Sequence, residues 1–98
     1  MDLTKLQKKV FELQKSGDKE RVSVLRYLLS KIKNKEIEFR GEDKKLEKDD
    51  VLKIIKKQMK QRDESAELYR QGSREELAEK EEREKEILAE FLEYVQNN

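Results

Sequence analysis

Hydrophobic residues recur every three or four positions along the chain, which is the spacing that keeps side chains on one face of an α-helix. Glycines at positions 17, 41 and 72 interrupt this pattern and divide it into four segments. We therefore predict four helices, over residues 3–15, 19–39, 48–71 and 74–94. No segment alternates between polar and apolar positions as a half-buried strand does, so the sequence predicts an all-α fold.

The predicted helix ends carry local sequence signals. Asp2 is a candidate N-cap for the first helix, and Gly17 is a candidate left-handed residue at its end. Gly72 is likewise placed to take the left-handed conformation after the third helix. The next residues match a capping box, in which Ser73 caps the fourth helix and Glu76 reaches back to the Ser73 amide.

The last two predicted helices form an antiparallel hairpin whose tip lies at Gly72-Ser73. Pairing residues outward from this tip places Ile55 opposite Phe91 and Arg62 opposite Glu84, with Glu81 one helical turn away. Charged residues on the facing stripes of two paired helices are unusual, because an apolar residue is expected there. The hairpin therefore predicts an enclosed cluster of one guanidinium and two carboxylates.

Each of the four helices has one apolar stripe, and each stripe must be buried against another helix. The 98 residues are enough for one domain. Short connections between helices favour antiparallel neighbours, so we predict two antiparallel hairpins in a small bundle. A splayed arrangement of the same helices is the open alternative.

Composition narrows the possible chemistry. Charged residues make up 48% of the chain, yet the net charge is only +1 and there is no proline, which favours helices over disorder. Cysteine and histidine are both absent, which excludes disulfides, zinc–thiolate sites and imidazole acid–base chemistry. We expect no metal or other cofactor. No apolar run approaches the ~20 residues of a membrane span, and there is no signal-peptide core, so we expect a cytoplasmic protein without membrane contact.

The Arg62, Glu81 and Glu84 cluster has two interpretations. In one, Arg62 binds the carboxylates and fixes the register of the hairpin. In the other, the paired carboxylates perform acid–base catalysis or bind a metal. Catalysis needs a cleft that holds a substrate between the groups, and the sequence indicates none, so we favour the structural interpretation.

Charge is distributed unevenly between the two helices of the hairpin. Residues 51–62 contain five basic and no acidic residues, whereas residues 75–93 contain nine acidic and three basic ones. This asymmetry fits attraction between neighbouring helices, and it also fits a strip that contacts nucleic-acid phosphates. The candidates for nucleic-acid binding are Lys53, Lys56, Lys57 and Lys60. The strip has no interleaved aromatic residues for base stacking, and we interpret the tyrosines Tyr27, Tyr69 and Tyr94 as packing or edge residues.

Three stretches of sequence resemble a known family. The run Lys60-Gln61-Arg62-Asp63-Glu64-Ser65, with the downstream hairpin residues, resembles the YqeY-like family, as do Leu25-Arg26-Tyr27-Leu28 and Asn34-Lys35-Glu36-Ile37. This family is similar to the C-terminal helical domain of the GatB subunit of tRNA-dependent amidotransferase. The positions marked by the resemblance are Lys60, Gln61, Arg62, Ser65, Gly72, Arg74, Glu81 and Glu84.

The resemblance implies an all-helical domain linked to carbon–nitrogen ligation on charged tRNA, with glutamine as the amido-nitrogen donor. In the amidotransferase the chemistry lies in other domains and subunits, so the resemblance supplies no catalytic residue. We expect a non-catalytic module that assists tRNA binding or amidotransferase assembly, with tRNA or an amidotransferase–aminoacyl-tRNA complex as its partner. The alternative is a structural or oligomerising bundle, or a protein-interaction module, without an RNA role.

The sequence departs from the family pattern in two ways. Glu93 stands where family members usually have a proline. Family members usually continue into a smaller helical domain, and we expect this chain to correspond to the first helical domain only, as a truncated form or a short family member. In the amidotransferase that second domain is the part most associated with tRNA.

Overall fold

A computed structural model describes residues 3–98, which form four helices and no strand. The helices are α1 (Thr4–Ser16), α2 (Lys19–Gly41), α3 (Lys48–Gln71) and α4 (Glu75–Gln96). Each begins and ends within about two residues of its predicted bounds. The prediction of an all-α fold is confirmed.

Helices α3 and α4 form the long antiparallel hairpin, α2 lies against both of them, and α1 packs on α2. This arrangement is consistent with the predicted pair of hairpins. The apolar stripes of all four helices meet in one core. Its fully buried members are Leu6, Leu25, Leu28, Ile32, Val51, Ile55 and Val95. None of the described helices is long and apolar enough to cross a membrane.

Three of the four helices end in the same way, with one residue in the left-handed conformation just past the helix. At the end of α1 this residue is Gly17, with a φ of 79°. The Gly17 and Asp18 amides donate to the Gln14 and Leu13 carbonyls, which is the hydrogen-bond pattern of a Schellman motif. The prediction for Gly17 is therefore confirmed, while the predicted N-cap Asp2 lies outside the described residues.

The prediction that Gly72 takes the left-handed conformation is wrong. Gly72 has a φ of −90°, and the next residue, Ser73, has a φ of 59°. The Arg74 amide donates to the Tyr69 carbonyl over 2.8 Å, which closes the Schellman motif around Ser73. Asp43 has the same role after α2, with a φ of 55°. Residues other than glycine are uncommon at positive φ, although aspartate is enriched there.

The predicted capping box at the start of α4 is also wrong. An N-cap residue normally has an extended backbone, and Ser73 cannot have one while it occupies the left-handed position that ends α3. The N-cap of α4 is instead Arg74, whose side chain makes no capping hydrogen bond. A capping box is found instead at the start of α3, where the Glu47 amide donates to Oδ2 of Asp50 over 2.9 Å.

Candidate nucleic-acid interface

The charged cluster predicted inside the hairpin is present. Nη1 of Arg62 lies 3.1 Å from Oε2 of Glu81 and 3.3 Å from Oε2 of Glu84. The side chains of Arg62, Glu81 and Glu84 are only 23%, 14% and 22% exposed. The guanidinium is therefore enclosed between the helices rather than solvated. Arg62 therefore connects two successive turns of α4 to α3, as the predicted register requires.

The cluster places two carboxylates beside one guanidinium. Nη1 of Arg62 donates a hydrogen bond to Oε2 of Glu84, whereas its contact with Oε2 of Glu81 is an ion pair without hydrogen-bond geometry. Nε of Arg62 and Oε2 of Glu81 are buried without a hydrogen-bond partner among the described residues. Burial raises the pKa of the Glu81 carboxyl above its ordinary value, the Arg62 charge opposes that rise, and the Glu84 charge adds to it. Within residues 3–98 no group of three or more acidic side chains is arranged to hold a metal ion.

We expect Glu81→Gln to change how stability depends on pH. When a carboxyl has a higher pKa in the folded than in the unfolded state, the folded protein loses stability as the pH rises from the lower pKa through the higher one. At pH 7 the variant should therefore melt at or above the wild-type temperature, and this difference should close as the pH falls below the ordinary value of 4.5. Thermal melts from pH 3 to 8 test this. Glu79→Gln, at an exposed position of the same helix, should follow the wild type throughout. A Glu81→Gln difference that widens in acid would contradict the expectation.

The four lysines of the predicted strip, Lys53, Lys56, Lys57 and Lys60, are all exposed on α3. Among residues 3–98, none of them lies within ion-pair distance of a carboxylate. The ion pairs between α3 and α4 use other residues: Arg62, Asp63 with Lys85 at 2.8 Å, and Arg70 with Glu75 and Glu82. Direct pairing with α4 therefore does not account for the four lysines.

A groove of about 440 Å³ runs between α2 and α3 and divides the lysine strip. Lys53 and Lys57 line the groove, whereas Lys56 and Lys60 lie farther round the helix, outside its lining. Two more lysines come from the opposite wall, Lys31 and Lys35 of α2. Because helices separated in sequence form this groove, no spacing within one helix could have predicted the α2 lysines.

The same groove contains neutral polar groups, one aromatic ring and two carboxylates. The amides belong to Asn34, Gln58 and Gln61, and the carboxylates to Glu38 and Asp50. Tyr27 is half exposed at the α2 wall, with Nζ of Lys31 5.2 Å from its ring centroid. The sequence predicts Tyr27 to be a packing or edge residue. In the structure its ring, which belongs to α2, lies in the same groove as the lysines Lys53 and Lys57 of α3.

The positions marked by the family resemblance fall in three places. Gln61 lines the groove, together with Tyr27, Asn34 and Lys35 from the two upstream motifs. Arg62, Glu81 and Glu84 form the charged cluster. Ser65 is half-buried farther along α3, Gly72 and Arg74 are exposed at the tip, and Lys60 is exposed on α3. The eight marked positions therefore include one groove residue, Gln61, and all three members of the charged cluster.

A larger cavity of about 670 Å³ lies between α3 and α4, near the tip of the hairpin. Four of its six charged residues pair with each other, Arg70 with Glu82 and Lys85 with Asp63. The other two are the acidic residues Glu67 and Glu86. Two alanines, Ala66 and Ala89, supply small apolar patches. This cavity offers a ligand less unneutralised charge than the α2–α3 groove, although it is larger.

Comparison with known proteins agrees with the sequence resemblance. A family model described as Yqey-like protein matches residues 3–95. The chain is 37% identical over 89 residues to an uncharacterised protein of Schizosaccharomyces pombe, and this match covers 89% of the chain and 68% of that relative. No solved structure matches significantly. Since the family match extends from the start of α1 to the last turn of α4, the chain belongs to the YqeY-like family.

Proposed function

We propose that this protein is a non-catalytic helical module that binds RNA phosphates through α3, and that it helps to hold tRNA or to assemble tRNA with an amidotransferase. The observation that most supports this proposal is the set of four exposed lysines without a carboxylate partner among the described residues. Among the described residues, eight of the other twenty basic side chains are in ion pairs, including Arg21 with Glu90 and Arg83 with Glu20. Lysine ammonium groups that remain unneutralised on one helix face are suited to polyanions.

The α2 wall of the groove extends this basic surface. Lys31 and Lys35 face the groove from the opposite side to Lys53 and Lys57, so an RNA strand that follows the groove has cations on both sides. Lys35 is the one of these four that also approaches a carboxylate, Glu38, at 3.4 Å. The relation of the family to GatB supports tRNA as the RNA.

A non-catalytic role is proposed because the chain lacks the usual reactive side chains. It has no cysteine, which would supply a thiol nucleophile, and no histidine, which is the commonest acid–base group near neutral pH. The most enclosed carboxylates, Glu81 and Glu84, are engaged by Arg62. The arrangement suits a rigid hairpin that presents a binding face.

Changing Lys53, Lys56, Lys57 and Lys60 together to glutamate should weaken tRNA binding by about tenfold or more at low salt, because attractive phosphate contacts become repulsive. Wild-type affinity should fall linearly with the logarithm of the salt concentration. The slope should be smaller in the variant, by roughly one for each phosphate that the variant no longer neutralises. Electrophoretic retardation and fluorescence anisotropy at several salt concentrations measure both effects.

The matched control changes Lys5, Lys8, Lys15 and Lys19 to glutamate. These lysines are also exposed but belong to α1 and the first turn of α2, and the control has the same change in net charge. Equal loss of binding in the two variants would show that only net charge matters. Absence of tRNA binding at low salt, with a mass in light scattering that rises with concentration, would favour the structural or oligomerising bundle instead.

A further inference from the structure

We propose that the α2–α3 groove receives an unpaired nucleotide of the bound RNA, with its base against the amide groups and Tyr27 and its phosphates at Lys53 and Lys57. This inference rests on the proposed RNA-binding function and specifies which part of an RNA the groove recognises. Phosphate contacts alone do not distinguish paired from unpaired RNA, whereas a groove that accepts a base does.

The first observation is Gln58, a largely buried residue whose amide group has no hydrogen-bond partner within residues 3–98. Gln58 is only 6% exposed and is the one buried polar residue in the described part of the chain. It occupies the apolar stripe of α3, yet its side chain donates and accepts no hydrogen bond with another residue between 3 and 98. The amide oxygen and nitrogen of Gln58 are not among the buried atoms without a partner, so the residue is enclosed while its amide group keeps accessible surface. The Gln58 side chain lines the groove, where a ligand can reach it.

The second observation is the chemistry of the groove lining. Gln58, Gln61 and Asn34 each present a donor and an acceptor, which matches the mixed donors and acceptors on the edge of a base. A site for phosphate alone would need donors only.

The carboxylates of Glu38 and Asp50 also line the groove. Glu38 lies 3.4 Å from Lys35, and Asp50 accepts from the Glu47 amide. Their remaining lone pairs can accept hydrogen bonds from the exocyclic amino group of a base. The lysines provide the phosphate contacts beside these groups.

The third observation is the aromatic wall. Tyr27 is 50% exposed, and it lines both the groove and a smaller cavity of about 180 Å³ that Gln58 also borders. A half-exposed ring beside unpaired amides is the combination that holds single-stranded bases, by stacking and by edge contacts. The groove volume of about 440 Å³ is within the range of sites for small ligands, so it suits one nucleotide rather than a helix.

The test compares three RNAs by fluorescence anisotropy at one salt concentration. They are a 12-base-pair blunt duplex, the same duplex with a four-nucleotide 3′ extension, and a 16-base-pair blunt duplex that has more phosphates than the extended one. We expect the extended RNA to bind about tenfold more tightly than either blunt duplex. Tyr27→Ala and the double variant Asn34→Ala with Gln61→Ala should lose this preference and keep the affinity for blunt duplex. Tyr27→Phe should retain it.

Two control variants and thermal melts distinguish an effect of the groove on RNA binding from an effect of unfolding or of changed charge. Phe11→Ala removes another exposed aromatic side chain, on α1, and should leave the preference intact. Lys56→Glu changes a lysine outside the groove lining and should weaken all three RNAs by the same factor. Thermal melts of every variant identify any loss that comes from unfolding.

The outcomes distinguish this inference from the proposed function. If affinity follows the number of phosphates and the Tyr27 and amide variants behave like the wild type, the groove does not receive a nucleotide and the inference is overturned, while RNA binding by the lysines stands. If none of the RNAs, nor tRNA, binds at low salt, both proposals fail. Loss of the preference in Tyr27→Ala with retention in Tyr27→Phe supports a stacked base.

Discussion

Arg62→Leu is expected to lower the free energy of unfolding by about 3 kcal/mol, the lower end of the cost of breaking an enclosed ion pair. The substitution leaves Glu81 and Glu84, both less than a quarter exposed, without the cation that compensates them. Two carboxylates that face each other in an enclosed position repel, and burial adds a desolvation cost. For a domain of this size such a loss lowers the melting temperature by about 12 °C or more.

A triple variant identifies the physical cause of that loss. Arg62→Leu combined with Glu81→Leu and Glu84→Leu removes the stranded charges and fills the same space with apolar groups. Replacing an enclosed ion cluster by apolar residues is often neutral or stabilising, so the triple variant should recover much of the lost stability. If it is no more stable than Arg62→Leu alone, the loss comes from the shape of the arginine side chain and not from its charge.

Arg83→Leu is the matched control. Arg83 forms a comparable ion pair with Glu20 at 3.3 Å, but both side chains are about half exposed. Exposed pairs contribute about 0–1 kcal/mol, so this variant should melt close to the wild type. An Arg62→Leu protein that melts as close to the wild type as Arg83→Leu would show that the cluster behaves like a solvated surface pair.

Leu28→Ala is expected to have a similarly large effect, about 2–5 kcal/mol, because a fully buried leucine loses its transfer free energy and leaves a cavity. Leu28 has no exposed surface, and it lies on the face of α2 that joins the common core. It also follows Tyr27 directly in sequence, so it fixes the turn of α2 that forms one wall of the groove. Denaturation by urea should show a lower midpoint with an unchanged slope if unfolding stays two-state.

Phe11→Ala provides the comparison for Leu28→Ala. Phe11 is 68% exposed on α1, and removal of a large but solvated side chain should change the free energy of unfolding by no more than about 0.5 kcal/mol. If Leu28→Ala and Phe11→Ala had equal effects, α2 would not be held to the hairpin through its buried leucines. A decrease in the urea slope for Leu28→Ala alone would indicate that α2 separates from the hairpin before global unfolding.

The position of the candidate site follows from how α2 crosses the hairpin. The buried stripe of α2, which includes Leu25 and Ile32, faces the core. The residues beside that stripe, Tyr27 and Lys31 among them, are therefore brought to the edge of α3. Lys53 and Lys57 lie on the facing edge, so burial of the stripe and formation of the groove have one cause.

The sequence by itself determined the helices and the hairpin register. Both depend on the periodicity of apolar residues, and this periodicity is local, so it predicted the bounds of all four helices and the position of Arg62 opposite Glu84. The chain composition likewise indicated the exposed lysine strip. The local pattern did not predict which residue of the hairpin tip is left-handed. Serine and glycine both suit a turn there, and in the structure Ser73 has the left-handed conformation.

Only the tertiary structure decided which side chains share a surface. The α2–α3 groove brings Tyr27, Lys31 and Asn34 beside Gln58 and Gln61, which lie about 30 residues away along the chain. That proximity depends on the crossing of α2 over α3, and helix packing admits several crossings for the same apolar stripes. The sequence pattern therefore determines which face of each helix is buried, while the packing of one helix on another determines which exposed edges meet.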